Sequence, residues 1–316
     1  MDAANNRQIT STVLMVRPSN FGFNPETADN NFYQQKDGRD SEELKEIVLG
    51  EFDCMVALLR AHGIRVLVVE DTKDPAKPDA VFPNNWFSTH EDGRILLYPM
   101  FSPLRRKERR KDILELLLKE GFSFQEVVDM SFFEHDGQFL EGTGSLVLDR
   151  EAKVAYACWS ERTNPLPLEY FARLMGYERV TFHAEQEIQG AKNPIYHTNV
   201  MMHVGTDLAV VCLDSIPNSS EKLKVQEKLS KTGKKIIPIT TKQKFNFAGN
   251  MLELENKEGE KFTVMSDAAF HALTTAQKKT IEKYTHILAP KISTIEKIGG
   301  GSVRCMMAEI FLPLVH

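Results

Sequence analysis

A thiol stands at the end of the run Gly299-Gly300-Gly301-Ser302-Val303-Arg304-Cys305. Three glycines let the backbone take turns that a Cβ forbids and approach a ligand closely. The apolar run that follows, from Met306 to Leu314, reads as a buried strand. A sulfur held where a flexible loop enters a rigid strand is placed to act as a nucleophile. The same residue also reads as a small apolar core side chain, as most free cysteines are. Three further polar residues, Asn85, Glu141 and His197, are each flanked by apolar strand residues. Singly they have plain structural readings: a core histidine, a turn carboxylate before Gly142, an ordinary loop amide. Together, a converging thiol, imidazole and carboxylate make a set for covalent catalysis.

The elements that would bring them together recur along the chain. Helices are expected from Asp40 to Gly63, Glu108 to Glu120, Pro167 to Met175, Ser219 to Lys231 and Thr274 to Lys283, each with a start or stop signal. They recur about every sixty residues, and a repeat of that kind decides architecture first. A strand-like run follows each helix: Ile64 to Val69, Phe124 to Val128, Arg179 to Phe182, Lys235 to Ile239 and His286 to Leu288. Between helices lies a motif loop running into a two-stranded hairpin. The loops are Val81 to Phe87, Phe139 to Ser145, Ile195 to Asn199, Phe247 to Asn250 and Gly299 to Cys305. The fifth hairpin lacks a C-terminal partner, and Val13 to Val16 is the strand that would supply one and leave no free edge. The expectation is an α/β fold, one closed domain over 1–316 built as a five-module pseudo-symmetric propeller. Two domains with coincidental spacing is the less economical alternative.

Composition narrows the class. Hydrophobic residues at 42% and charged residues at 26% describe an ordinary globular chain. A net charge of -5 argues against nucleic acid as a partner. The basic cluster Arg105-Arg106-Lys107, with Arg109-Arg110-Lys111, is broken by Glu108 and reads as a solvated helix start. The polar opening and the lack of a membrane-length apolar run predict no secretory signal, no membrane partner and a cytoplasmic location. Four widely spaced cysteines, none at CxxC spacing, disfavour a metal site and a disulfide framework. No phosphate-loop or dinucleotide motif is present, so no cofactor is expected.

Several stretches carry a resemblance in order along nearly the whole chain: Leu14 to Pro18, Asn24 to Thr27, Asp79 to Phe87, Glu141 to Gly144, Ser160 to Asn164, Tyr196 to Asn199, Phe247 to Met251 and Gly299 to Met306. They resemble the amidinotransferase and arginine deiminase superfamily, and within it most nearly the citrulline-utilisation hydrolase branch. The resemblance implies a five-module propeller and chemistry on guanidino or ureido groups of a small amino-acid substrate. It implies Cys305 as nucleophile, His197 as general acid/base and Glu141 as the carboxylate that binds substrate nitrogens and supports the histidine. It also implies Arg162 as a clamp on the substrate α-carboxylate, with Asp79 and a basic element near Arg106 as further substrate contacts. A homodimer stays open.

Two positions depart from the arginine deiminase pattern. Where those enzymes carry aspartates gripping a cationic guanidinium, this chain has Asn85 and Asn199. Buried carboxylates beside a neutral ureido group would leave uncompensated charge, whereas amides donate and accept as a urea does. A ureido substrate, citrulline first, is therefore expected. Aligning the first loop on Phe87 instead would put His90 in the place of Asn85. Arginine deiminase, dimethylarginine hydrolase or amidino transfer on the same scaffold is the nearer rival. The distant one is a non-catalytic binding protein, since ribosome anti-association factors resemble the propeller without its chemistry.

Overall fold

The computed structural model of the protein describes residues 6–36 and 38–315. Among these residues the strands form five three-stranded sheets and one two-stranded hairpin, a mixed α/β fold. The five sheets share one pattern, an antiparallel pair extended by a strand parallel to the middle one. In the second, Phe87–Thr89 pairs antiparallel with Arg94–Leu97, which pairs parallel with Glu126–Asp129. A parallel neighbour cannot be reached by a tight turn, so a helix crosses in each unit. Those helices are Ser41–Ala61, Lys111–Lys119, Pro165–Met175, Ser219–Lys231 and Thr275–Ile281. The two ends of the chain share a sheet, since Thr12–Arg17 runs parallel to Arg65–Glu70 and antiparallel to Ala308–Glu309. That is the pairing expected of Val13 to Val16.

Local chemistry explains several boundaries. Asn218 caps its helix by accepting from the amides of Ser220 and Glu221. Thr274 and Gln277 form a reciprocal capping box, and Gly176 ends Pro165–Met175 in the left-handed conformation.

Four expectations fail for identifiable reasons. The run after Cys305 is a strand only at Ala308–Glu309, and of its expected span Met306 through Leu312 is buried while Pro313 and Leu314 are exposed; burial without ladder pairing looks the same in sequence. Gly299 closes the helix Ser293–Gly299, and Gly300 is its left-handed cap at φ 65°, so the glycines are an ordered helix end. The helix expected from Glu108 begins at Lys111 and is preceded by a separate turn, Pro103–Arg106. Within the basic cluster, Arg105 and Glu108 are buried, not solvated. A hairpin at Glu185–Ile188 and Ala191–Pro194 was not foreseen, because its polar strands carry no alternating apolar pattern.

Candidate active site

The loop before the first strand of each sheet delivers one polar residue to a common region. Asn85 precedes Phe87–Thr89, Glu141 precedes Val147–Asp149 and His197 precedes Met202–Val204. Asn250 precedes Leu252–Glu255, and Cys305 precedes Ala308–Glu309. Asn85, His197 and Cys305 line one cavity with Asp79, Arg105 and Arg162, beneath the glycine run. Only about 10 Å³ of it is open to the centre of a water molecule, enough for about one water.

Glu141 is fully buried and anchors the polar network. Its Oε2 lies 2.8 Å from His197 Nε2, 3.5 Å from Arg162 Nη1 and 4.0 Å from Arg105 Nη1. Its Oε1 accepts from the Phe101 amide at 3.0 Å. Burial alone would raise its pKa, but Arg162, His197 and Arg105 outweigh that and hold the carboxyl well below its usual range. Burial dominates at His197 in the other direction, and its pKa falls below 6.5 despite Glu141. The pair at neutral pH is therefore a carboxylate and a neutral imidazole. A Cβ on Gly144 would stand 2.8 Å from His197 Cε1 and Nδ1, so only glycine leaves the ring that position.

Arg105 is held by Glu108 through two bonds of 2.9 Å and donates to Asn85 Oδ1 at 2.8 Å. Because guanidinium only donates, the Asn85 atom facing it must be the carbonyl oxygen. The Asn85 Nδ2 is then a buried donor with no partner. Asp79 accepts from Asn24 Nδ2 at 2.7 Å through Oδ2, while its Oδ1 is a buried acceptor with no partner. Arg162 lies 4.9 Å from the Tyr196 ring centroid and donates to Thr27 O at 3.3 Å and to Asn30 Oδ1. Asn31 and Gln34 reach the Gly299 carbonyl. The polar segment after Ser19 thus lies over the site, tied to the residues that line it.

Cys305 is 3% exposed. Its Sγ is 3.5 Å from Asn199 Nδ2 and 3.4 Å from Asn250 Nδ2. Asn199 faces the buried space behind the sulfur, lined also by Arg304 and Glu253, not the cavity that holds His197.

Arg106, expected at the substrate, is not brought there. Its guanidinium donates to Met100 O and Phe101 O and lies 3.3 Å from Glu134. Successive helical residues point about 100° apart, so the neighbour Arg105 faces the cavity instead. His90 is likewise away from it, bonded to Ser88 Oγ at 2.9 Å, so the first loop presents Asn85. Sequence reasoning missed Asn250 and Glu108. The repeat itself held the signal for Asn250, which occupies in the fourth loop the place of Asn85 in the first.

The profile of the eukaryotic N,N dimethylarginine dimethylhydrolase family matches residues 17–312. The chain belongs to this family. With it the chain joins the superfamily of guanidino-modifying proteins that its motifs resemble, and it is a hydrolase of carbon–nitrogen bonds. The fold is similar to the N-terminal domain of ArgZ, described as an arginine dihydrolase of the ornithine–ammonia cycle in cyanobacteria and solved with substrate. The identity is 16%, coverage is 95% of this chain and 97% of that one, and the TM-score is 0.69. It is also similar to AgrE solved with L-arginine, at 16% identity and TM-score 0.70, covering 96% of this chain but 40% of AgrE. A third similar structure is the dimethylarginine hydrolase of Pseudomonas aeruginosa solved with citrulline, at 12% identity, TM-score 0.63 and coverage of 96% and 100%. No curated protein sequence matches the chain. Among the described residues no group of three His, Cys, Asp or Glu is placed to hold a metal ion, and no helix is long and apolar enough to cross a membrane.

Two predictions follow from this geometry. Removing Arg105 leaves Glu108 and Asp79 as buried carboxylates without their cation, so Arg105→Ala should lose about 3–5 kcal/mol in urea unfolding. Arg106→Ala, at a half-buried site, should lose about 1 kcal/mol or less. Histidine 197 gives the second. Its folded pKa lies below the unfolded 6.5, so the unfolded chain takes up a proton that the native state refuses as pH falls from 6.5. Stability from this residue is present above that pH and is lost below it. Glu108 and Glu296, both raised to about 7 by burial, act with the opposite sign, so the measurement is a difference. The stability gap between wild type and His197→Asn should shrink by about 1–2 kcal/mol between pH 7 and pH 5; a constant gap contradicts the assignment.

Proposed function

We propose that the protein hydrolyses the terminal carbon–nitrogen bond of a ureido or guanidino group on an arginine-related amino acid, with citrulline preferred. In this reading residues 1–316 form one domain whose five units surround a common axis as a closed α/β propeller. Cys305 is the nucleophile, His197 the acid/base, and Glu141 holds the imidazole and substrate nitrogens. Arg162 takes the α-carboxylate, and Asp79 and Asn85 grip the planar group.

The observation that carries the choice of substrate is a pair of unpartnered atoms on residues that line the cavity. Asn85 Nδ2 lacks an acceptor and Asp79 Oδ1 lacks a donor. A ureido group supplies a carbonyl oxygen for the first and N–H for the second, whereas guanidinium only donates. Charge gives the rival substrate, arginine, its own support. Asp79, Glu108 and Glu141 outnumber Arg105 and Arg162 by one, and a guanidinium would balance them. The excess has a less costly remedy, because burial pushes Glu108 up to about 7 and raises Asp79. Protonating Glu108 near pH 7 costs little, with Asp79 left as the carboxylate beside Arg105, while leaving a buried charge unpaired costs several kcal/mol. A neutral substrate is therefore tolerated.

The chemistry follows from these groups. His197 Nε2 faces Glu141, so exchange of protons with substrate falls to Nδ1. That nitrogen takes the Cys305 proton as the sulfur bonds to the central carbon, and Glu141 stabilises the imidazolium formed. The proton passes to the departing nitrogen as its carbon bond breaks and ammonia leaves. Water, deprotonated by His197, then adds to the carbon and the carbon–sulfur bond breaks. With citrulline the product is a carbamate that loses carbon dioxide to give ornithine. Space for one water implies that the segment around Asn24 to Gln34 withdraws to admit substrate.

Purified protein should release ammonia from L-citrulline faster than from L-arginine, agmatine or methylated arginines, and Cys305→Ser should lose about 10³-fold or more of that rate. Faster turnover of arginine would overturn the substrate choice, and an unimpaired Cys305→Ser would overturn the nucleophile.

A further inference from the structure

We propose that Asn250 is a positioning residue that stabilises the Cys305 thiolate; Asn199 lies beside the same sulfur, with Nδ2 at 3.5 Å and Oδ1 at 3.9 Å. This deepens the reading of Cys305 as nucleophile and rests on it. The orientation of the Asn250 amide is fixed by its partners. Its Oδ1 accepts from the Arg304 amide at 3.0 Å, and a backbone N–H cannot accept, so the other atom is the NH₂. That nitrogen donates to Asn199 O at 3.0 Å and lies 3.4 Å from Cys305 Sγ. Asn250 is fully buried, so water does not compete for the bond.

The backbone is shaped to keep the amide there. Phe247 holds a φ of 58°, in the left-handed region that non-glycine residues avoid. Its ring is clamped against Tyr33 with centroids 4.8 Å apart. A Cβ on Gly249 would come within 2.7 Å of Val200 O and 2.6 Å of Met201 C. Glycine there lets the fourth loop pack onto the residues that follow Asn199. The two amides are thus brought to one sulfur from separate loops.

A fixed donor at this point answers a need the rest of the site leaves. The charged and titratable groups sharing the cavity with the sulfur are Asp79, Arg105, Arg162, Tyr196 and His197. Both arginines are engaged by carboxylates, Arg105 by Asp79 and Glu108 and Arg162 by Glu141. Arg304, next in the chain, turns away to Glu309 at 2.6 Å. With the cations so paired and the imidazole neutral, a fixed amide dipole is what remains to hold negative charge on the sulfur, as in an oxyanion hole.

The test is the pH dependence of Cys305 alkylation by iodoacetamide, followed by peptide mass spectrometry so that exposed Cys54 is scored separately. Asn250→Asp keeps an acceptor for the Arg304 amide but puts an anion against the sulfur. Asn250→Ser removes the donor's reach and serves should the aspartate variant melt early. In variants that melt as wild type does, the alkylation midpoint should rise by about one pH unit or more, a tenfold or greater slowing at pH 7. The value of kcat should fall with it and KM change little. An unshifted midpoint in a folded variant, or a loss confined to KM, overturns the proposal. The reading of Cys305 as nucleophile fails separately, through an active Cys305→Ser, and such a result does not alter a measured midpoint shift.

Discussion

A carboxylate with no access to water has to be neutralised where it stands, and Glu141 is that carboxylate. Arg162, Arg105 and His197 surround one of its oxygens and a backbone amide satisfies the other. Each partner carries the constraint outward. Arg105, now buried, needs Glu108, and its other donors take the Phe82 carbonyl and fix the carbonyl of Asn85. Arg162 draws in Thr27 and Asn30, so the neutralising cation of the site also holds the segment that covers it. His197 presents one nitrogen to Glu141, and the contact settles which edge of the ring is left for other work.

The second determinant is where the backbone may come close. Gly144, Gly249 and the glycines at 299–301 each occupy a place where a Cβ would strike a site residue or its immediate support. Repetition of one unit supplies loops of similar geometry, and glycine lets them crowd together. Polar side chains from different loops then meet within hydrogen-bond distance. The sulfur sits against two amides and the imidazole against a carboxylate, both on the lining of one cavity.

Much of this was legible in the sequence because it rests on short-range rules. The crossover helices announce themselves by capping residues and glycine stops, and Ser219–Lys231 falls on its expected bounds. The pairing of Thr12–Arg17 with the C-terminal strand followed from counting units. The cavity gathers Cys305, His197, Asn85, Arg162 and Asp79, with Glu141 against its histidine. What stayed hidden depends on direction and partners, which residue order does not encode. Arg105 and Arg106 are adjacent and alike, and only the turn at Pro103–Arg106 decides which faces inward. Asn250 looked like loop chemistry until a sulfur from another loop was beside it. Met306 to Leu312 is buried as expected, yet most of it has no ladder partner, because hydrophobicity reports burial and says nothing about hydrogen bonding.

The central claim is that one sulfur bonds covalently to the carbon of a urea-like group. Acid quenching of the protein within milliseconds of mixing with L-citrulline, followed by mass spectrometry of the Cys305 peptide, tests it directly. The account predicts a transient adduct on Cys305 with the mass of the substrate less ammonia, appearing and decaying as turnover proceeds. An unmodified Cys305 peptide throughout turnover, or the same adduct on another cysteine, would contradict it.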